Sequence, residues 1–83
     1  MANSTNATNV LEKVVKSIVD YPEKVQVKRI EGSSTLIYEV KVSSEDIGKV
    51  IGKQGKTAEA IRTIVQAISR KSGKNTIVSI LSW

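Results

Sequence analysis

The segment Val50-Ile51-Gly52-Lys53-Gln54-Gly55-Lys56 holds the most pointed chemistry in this chain. Two glycines bracket two polar residues, an apolar pair precedes them, and a helical pattern follows. Glycine is used where a backbone turns sharply or approaches a ligand closely. A helix that begins at such a turn aims unpaired N–H groups, and the positive end of its dipole, at whatever lies there. Lys49, Lys53 and Lys56 surround the spot. That combination suits phosphate, and the first candidate ligand is a nucleic-acid backbone.

The remaining composition narrows the chemistry further. Histidine and cysteine are both absent, which removes the commonest general base, thiolate metal sites and disulfides. The 8 carboxylates are scattered along the chain. No enzyme activity, metal or cofactor is therefore expected. Residues 1–48 carry six Lys/Arg against seven Asp/Glu, a balance of −1. Residues 49–83 carry seven Lys/Arg against Glu59 alone, a balance of +6. The positive excess begins at the glycine motif, which suggests a surface that faces a polyanion; a solvated basic helix face is the plainer alternative. With two Tyr, one Trp and no Phe, base stacking is not expected to be the main binding device. No apolar run approaches the roughly 20 residues of a membrane span. Met1 to Asn9 is polar and carries no charged side chain, unlike a secretory signal, so a cytoplasmic protein is expected. For the same reason the glycosylation-like Asn3-Ser4-Thr5 and Asn6-Ala7-Thr8 are set aside.

The elements that must position the glycine motif can be read around it. Residues 1–8 read as a disordered tail and residues 9–83 as one small domain. Asn9 is the expected helix cap, with Glu12 as its capping-box partner. Val10, Leu11, Val14, Val15, Ile18 and Val19 follow at helical spacing, and Tyr21-Pro22 ends that helix. Residues 24–31 read as a strand in which Ile30 breaks the alternation through a bulge. Gly32-Ser33-Ser34 is a turn, and Leu36, Tyr38, Val40 and Val42 share one face of a second strand over 35–42. Ser43 or Ser44 is the expected cap of a short helix that carries Ile47, Val50 and Ile51. A longer helix over 56–71 has Ala60, Ile61, Ile64, Val65 and Ile68 as its expected buried stripe, with Gly73 just beyond its end. Residues 75–82 form the last strand. The order α-β-β-α-α-β predicts an α+β fold: a three-stranded mixed sheet with three helices on one face, since a crossover between parallel strands is right-handed.

Three rivals compete for the motif. Gly55-Lys56-Thr57 resembles the tail of a P-loop, but the first glycine of that pattern would fall on Val50. A helix-turn-helix shares the outline, yet two glycines exceed what its turn needs, and Glu59 sits awkwardly on a groove-entering face. A purely structural helix break is the third. The motif between two helices, after a hairpin and before a final strand, resembles the KH domain. The apolar pair followed by Gly-x-x-Gly at 50–55, and Gly48 to Val65 more widely, carry the resemblance. The element order resembles the type II arrangement, and a single unit filling residues 9–81 is similar to the bacterial KhpA-type RNA-binding proteins. Ala58 stands where KH domains at large carry a bigger aliphatic residue.

This resemblance implies a clamp on the backbone of about four nucleotides of single-stranded RNA. Gly52 and Gly55 would admit the phosphates, Lys53 and Gln54 would form the tip, and Lys49 and Lys56 would flank it. Ile47, Val50 and Ile51 would form one wall of a base groove, with Val40 and Val42 its floor or opposite wall and Arg62 further along the helix; ordinary core is the competing role of these apolar residues, and a solvated face that of Arg62. It also implies a homodimer, pairing with a larger KhpB-type protein, and an RNA-chaperone role that affects bacterial cell shape. A protein-interaction module with a vestigial loop is the competing reading. Trp83 is expected to pack on the sheet edge rather than to stack on a base.

Overall fold

A computed structural model describes residues 7–83. Its elements are α1 (Thr8–Ile18), β1 (Gln26–Glu31), β2 (Thr35–Val42), α2 (Ile47–Ile51), α3 (Lys56–Ser69) and β3 (Asn75–Ser82). Single 3₁₀ turns lie at Pro22–Lys24, Lys53–Gly55 and Arg70–Ser72. The sheet order is β1-β2-β3, with β1 antiparallel and β3 parallel to β2. The mixed sheet and the α-β-β-α-α-β order are those expected.

Alternation along the central strand explains the layering. Leu36, Tyr38, Val40 and Val42 are buried and point toward the helices, while Thr35, Ile37, Glu39 and Lys41 lie on the opposite face. Leu11 and Val15 of α1, Val50 of α2, Ile61 and Val65 of α3 and Val78 of β3 close the core over them. Tyr38 is buried yet satisfied: its hydroxyl accepts from Ala7 N at 3.3 Å and Arg29 Nε at 3.4 Å.

Several local expectations are corrected. Helix α1 opens at Thr8, and its capping position is held by Ala7, which makes no side-chain cap; Asn9 lies within the helix. Burial of Ala7 in the core favours the earlier start, and Glu12 instead pairs with Lys16 at 3.2 Å. Of the expected tail 1–8, residues 1–6 lie outside the described residues. There is no bulge at Ile30: the β1–β2 register runs unbroken, and Ile30 faces Ile37 on the helix-free side. On α3 the buried stripe is Ala58, Ile61, Val65 and Ser69, while Ala60 and Ile64 are exposed. The helix is rotated so that Ala58 and Ser69 turn inward with Ile61 and Val65. It ends at Ser69, and Gly73 closes the following 3₁₀ turn in the left-handed region at φ 73°.

Neither Ser43 nor Ser44 caps α2. The capping position belongs to Asp46, whose buried carboxylate points elsewhere: it accepts from Asp20 N at 3.1 Å and Tyr21 N at 3.0 Å. These bonds tie the end of the α1 connection to the start of α2. They satisfy donors that would otherwise be orphaned as the chain leaves α1.

Candidate nucleic-acid interface

The loop between α2 and α3 is built on three successive departures from ordinary backbone. Gly52 has φ 79° and ψ 173°, a region that only glycine occupies readily. A Cβ there would overlap Thr57 Oγ1 and stand 2.6 Å from Thr57 Cβ and 2.9 Å from its N. Gln54 (φ 58°) and Gly55 (φ 76°) then turn the chain through the left-handed region into α3. Gly52 N donates to Gly48 O at 2.8 Å and Gly55 N to Gly52 O at 3.1 Å, so the turn is ordered by its own backbone. No side chain caps α3 at Gly55, and its first turn opens at the loop. Lys53, Gln54 and Lys56 are all exposed there. Two polar side chains and a flanking lysine thus stand exposed around the glycine backbone.

The other expected contacts divide. Lys49 is not an unencumbered cation. Its ammonium lies 3.0 Å from Asp20 Oδ2 and 3.9 Å from Asp46 Oδ1. The hydrogen bond to Asp20 holds its pKa above the usual lysine value. Val40 and Val50 have 0% exposure and belong to the core, so neither can meet a ligand. Val42 is buried with them. The expectation that these valines line a groove is corrected: inward alternation on β2, and the inner face of α2, put them in the core without accessible surface. Ile47 is half-buried and Ile51 exposed, so of the expected apolar residues on α2 these two keep accessible surface. Arg62 is exposed on α3, about 10 Å along the axis from the loop.

One apolar side chain on the helix face was missed as a candidate by sequence reasoning. Parallel pairing puts β3 on the outer edge beside β2, where both α2 and α3 pack on it. Ile80, paired with Val40, faces the helices and remains partly exposed. Its place in an alternating final strand was the available signal; only the strand order brings β3 against α2 and α3. Among the described residues there is no His/Cys/Asp/Glu group fit to hold a metal ion. No helix among them is long and apolar enough to cross a membrane.

Comparison with known proteins agrees with this geometry. A family model for the KhpA/KhpB KH domain matches residues 8–80. The chain is 49% identical over 72 residues to the RNA-binding protein KhpA of Clostridium acetobutylicum, covering 87% of this chain and 96% of that one. It is 47% identical over 73 residues to the RNA-binding protein KhpA of Aquifex aeolicus, covering 88% and 92%. Among solved structures, Era of Aquifex aeolicus bound to GDP and aluminium fluoride superposes with a TM-score of 0.65 at 17% identity, over 95% of this chain and 31% of that one. A structure of Era with MgGDPNP and a segment of 16S ribosomal RNA gives 0.62 at 17% identity, over 99% and 31%. At that identity the likeness concerns the fold alone.

Proposed function

The chain belongs to the KhpA/KhpB KH-domain family, and from that premise we propose that it is a non-catalytic RNA-binding protein whose 52–55 loop clamps the backbone of single-stranded RNA. The loop geometry carries this reading. Gly55 leaves open space where a side chain would stand, so a phosphate can approach its backbone there, while at Gly52 that place is filled by Thr57 and only backbone is presented. Lys53 and Gln54 project beside it, one supplying charge and the other hydrogen bonds. Lys56 flanks them at the start of α3, whose dipole favours an anion. Ile47 and Ile51 on one side and Ile80 on the other offer apolar walls for about four nucleotides of bases.

The grip of one such loop is weak and backbone-directed. With Lys49 held by Asp20, two or three cations remain for phosphates, so log K should fall with log salt at a slope of about −2. A weak grip of low selectivity suits an RNA chaperone, which must release what it binds. Pairing strengthens it through effective concentration. Val10 and Ile64 are 41% and 44% exposed beside an apolar cleft between α1 and α3, also lined by Val14 and Ile61. This patch supports a second copy, or a larger KhpB-type protein, as partner.

The test is the double variant Lys53→Asp/Gln54→Asp, titrated with a pool of mixed short RNAs. Aspartate tolerates the left-handed backbone of position 54, so the fold should persist by circular dichroism while binding is lost. Unaltered RNA binding would refute the clamp. Tight self-association with no RNA binding by the unmodified protein would favour an interaction module instead.

A further inference from the structure

We propose that the helix-free face of the sheet carries a second contact for single-stranded RNA, built on Trp83 with Lys28 and Lys41; it rests on the RNA-binding reading above. Strand register places Gln26, Lys41 and Leu81 in one row across this face, and Lys28 and Glu39 in the next. Together they enclose a shallow recess on the side of the sheet away from the helices. Trp83 continues β3 beyond Leu81, donating its backbone N–H to Val42 O at 3.0 Å. Its indole Nε1–H reaches Lys24 O at 2.7 Å, and Lys41 Nζ stands 4.0 Å from the ring centroid. The residue nonetheless stays 58% exposed.

A large aromatic side chain held by one hydrogen bond and a lysine contact, on a backbone paired to Val42, and left in solvent is already ordered. A base that stacks on it therefore immobilises little more. Stacking on an aromatic ring tolerates any base, which matches the sequence-blind grip of the loop. Lys28 and Lys41 supply two cations to the recess against one acid, Glu39, so its charge complements phosphate rather than repelling it. Continuity with the first site comes from β3. Ile80 and Leu81 are neighbours that point to opposite faces of an edge strand. A strand leaving the groove at Ile80 has only to cross that free edge to reach Leu81 and Trp83.

Trp83 is the only tryptophan of the chain, so its emission reports on this site directly. The experiment titrates the full chain with an oligouridylate of about four nucleotides, the length one KH loop clamps, and with one of about ten, within the range of extended single-strand sites. Anisotropy of labelled RNA is recorded alongside tryptophan emission. Emission should be quenched by the longer RNA and not by the shorter. Trp83→Ala should weaken binding of the longer RNA about tenfold and leave the shorter unchanged. Trp83→Phe should restore most of the loss, and Lys28→Glu/Lys41→Glu should reproduce it. Binding of the longer RNA with unchanged emission and an unaffected Trp83→Ala variant overturns this inference and leaves the loop reading intact. Emission that shifts with protein concentration alone, and not with RNA, overturns it in favour of a second copy on this face. No RNA binding by anisotropy overturns both readings.

Discussion

The two glycines of the loop should differ sharply in what they tolerate. At Gly55 a Cβ would meet no atom within 4 Å. Gly55→Ala thus incurs only the left-handed backbone penalty, about 1–2 kcal/mol. Gly52→Ala incurs a penalty of about 1–3 kcal/mol for its extended positive-φ conformation. It also collides with Thr57, whose Cβ and N lie 2.6 and 2.9 Å from the new atom. Those Thr57 atoms belong to the first turn of α3 and cannot swing aside like the end of a long side chain. Overpacking of that kind adds about 1–3 kcal/mol, which brings Gly52→Ala to about 2–6 kcal/mol. For a domain of this size, each 1 kcal/mol moves the midpoint by about 4–8 °C. Thermal and urea unfolding of both variants, read by circular dichroism, should place Gly52→Ala clearly below Gly55→Ala. Trimming the neighbour in Gly52→Ala/Thr57→Gly should recover part of the loss, since the two positions are in contact and couple. RNA binding should survive Gly55→Ala better than Gly52→Ala at temperatures where both are folded. Equal destabilisation by the two alanines, or no coupling to Thr57, would refute the account of the loop as a close approach built on Gly52.

Three further outcomes follow from the same geometry. Asp20→Asn should release Lys49 from its 3.0 Å ion pair, steepen the salt dependence of RNA binding by about 0.7 in the log–log slope, and tighten binding a few-fold at low salt; an unchanged slope would show that Lys49 never meets phosphate. Asp46→Ala should cost about 2–4 kcal/mol in urea unfolding, because the N–H groups of Asp20 and Tyr21 lose their acceptor; a loss below about 0.5 kcal/mol, the ordinary range of a surface substitution, would contradict that role. Glu31 is held below its ordinary pKa of 4.5, first by Lys74 and then by Arg29. A carboxyl depressed in the folded state contributes stability above its unfolded pKa and loses it as pH falls through the folded value, so Glu31→Gln should flatten the acid limb of the stability profile below about pH 4.5, by a small amount because the group is exposed.

Much of the fold was legible because it rests on local periodicity. Alternation at Leu36, Tyr38, Val40 and Val42 marks a strand with one buried face, and the same alternation sends those side chains inward in the structure. Periodicity is a poorer guide to how a helix is rotated. Apolar residues on α3 cover more than the stripe that reaches the core, so Ala60 and Ile64 were expected inside, and Ala58 and Ser69 took those places. Ile30 looked like an irregularity only because its row partners, Ile37 and Ile77, could not be seen beside it.

By itself, the sequence determined the glycine loop, its polar tip and the concentration of positive charge from Lys49 onward. These depend on residue type and on spacings of a few residues, which the backbone translates directly into a turn. Tertiary structure alone decided which of those groups are available. Lys49 meets Asp20 because α2 packs beside the end of α1, 29 positions away in the chain. Val40 and Val50 vanish into the core, and Ile80 faces the helices partly exposed because β3 pairs parallel with β2 at the sheet edge. Trp83 finds Lys24 and Lys41 for the same reason. Contacts between distant segments are chosen by how amphipathic faces close over one another, and a pattern that repeats along one segment does not specify which segment will lie opposite.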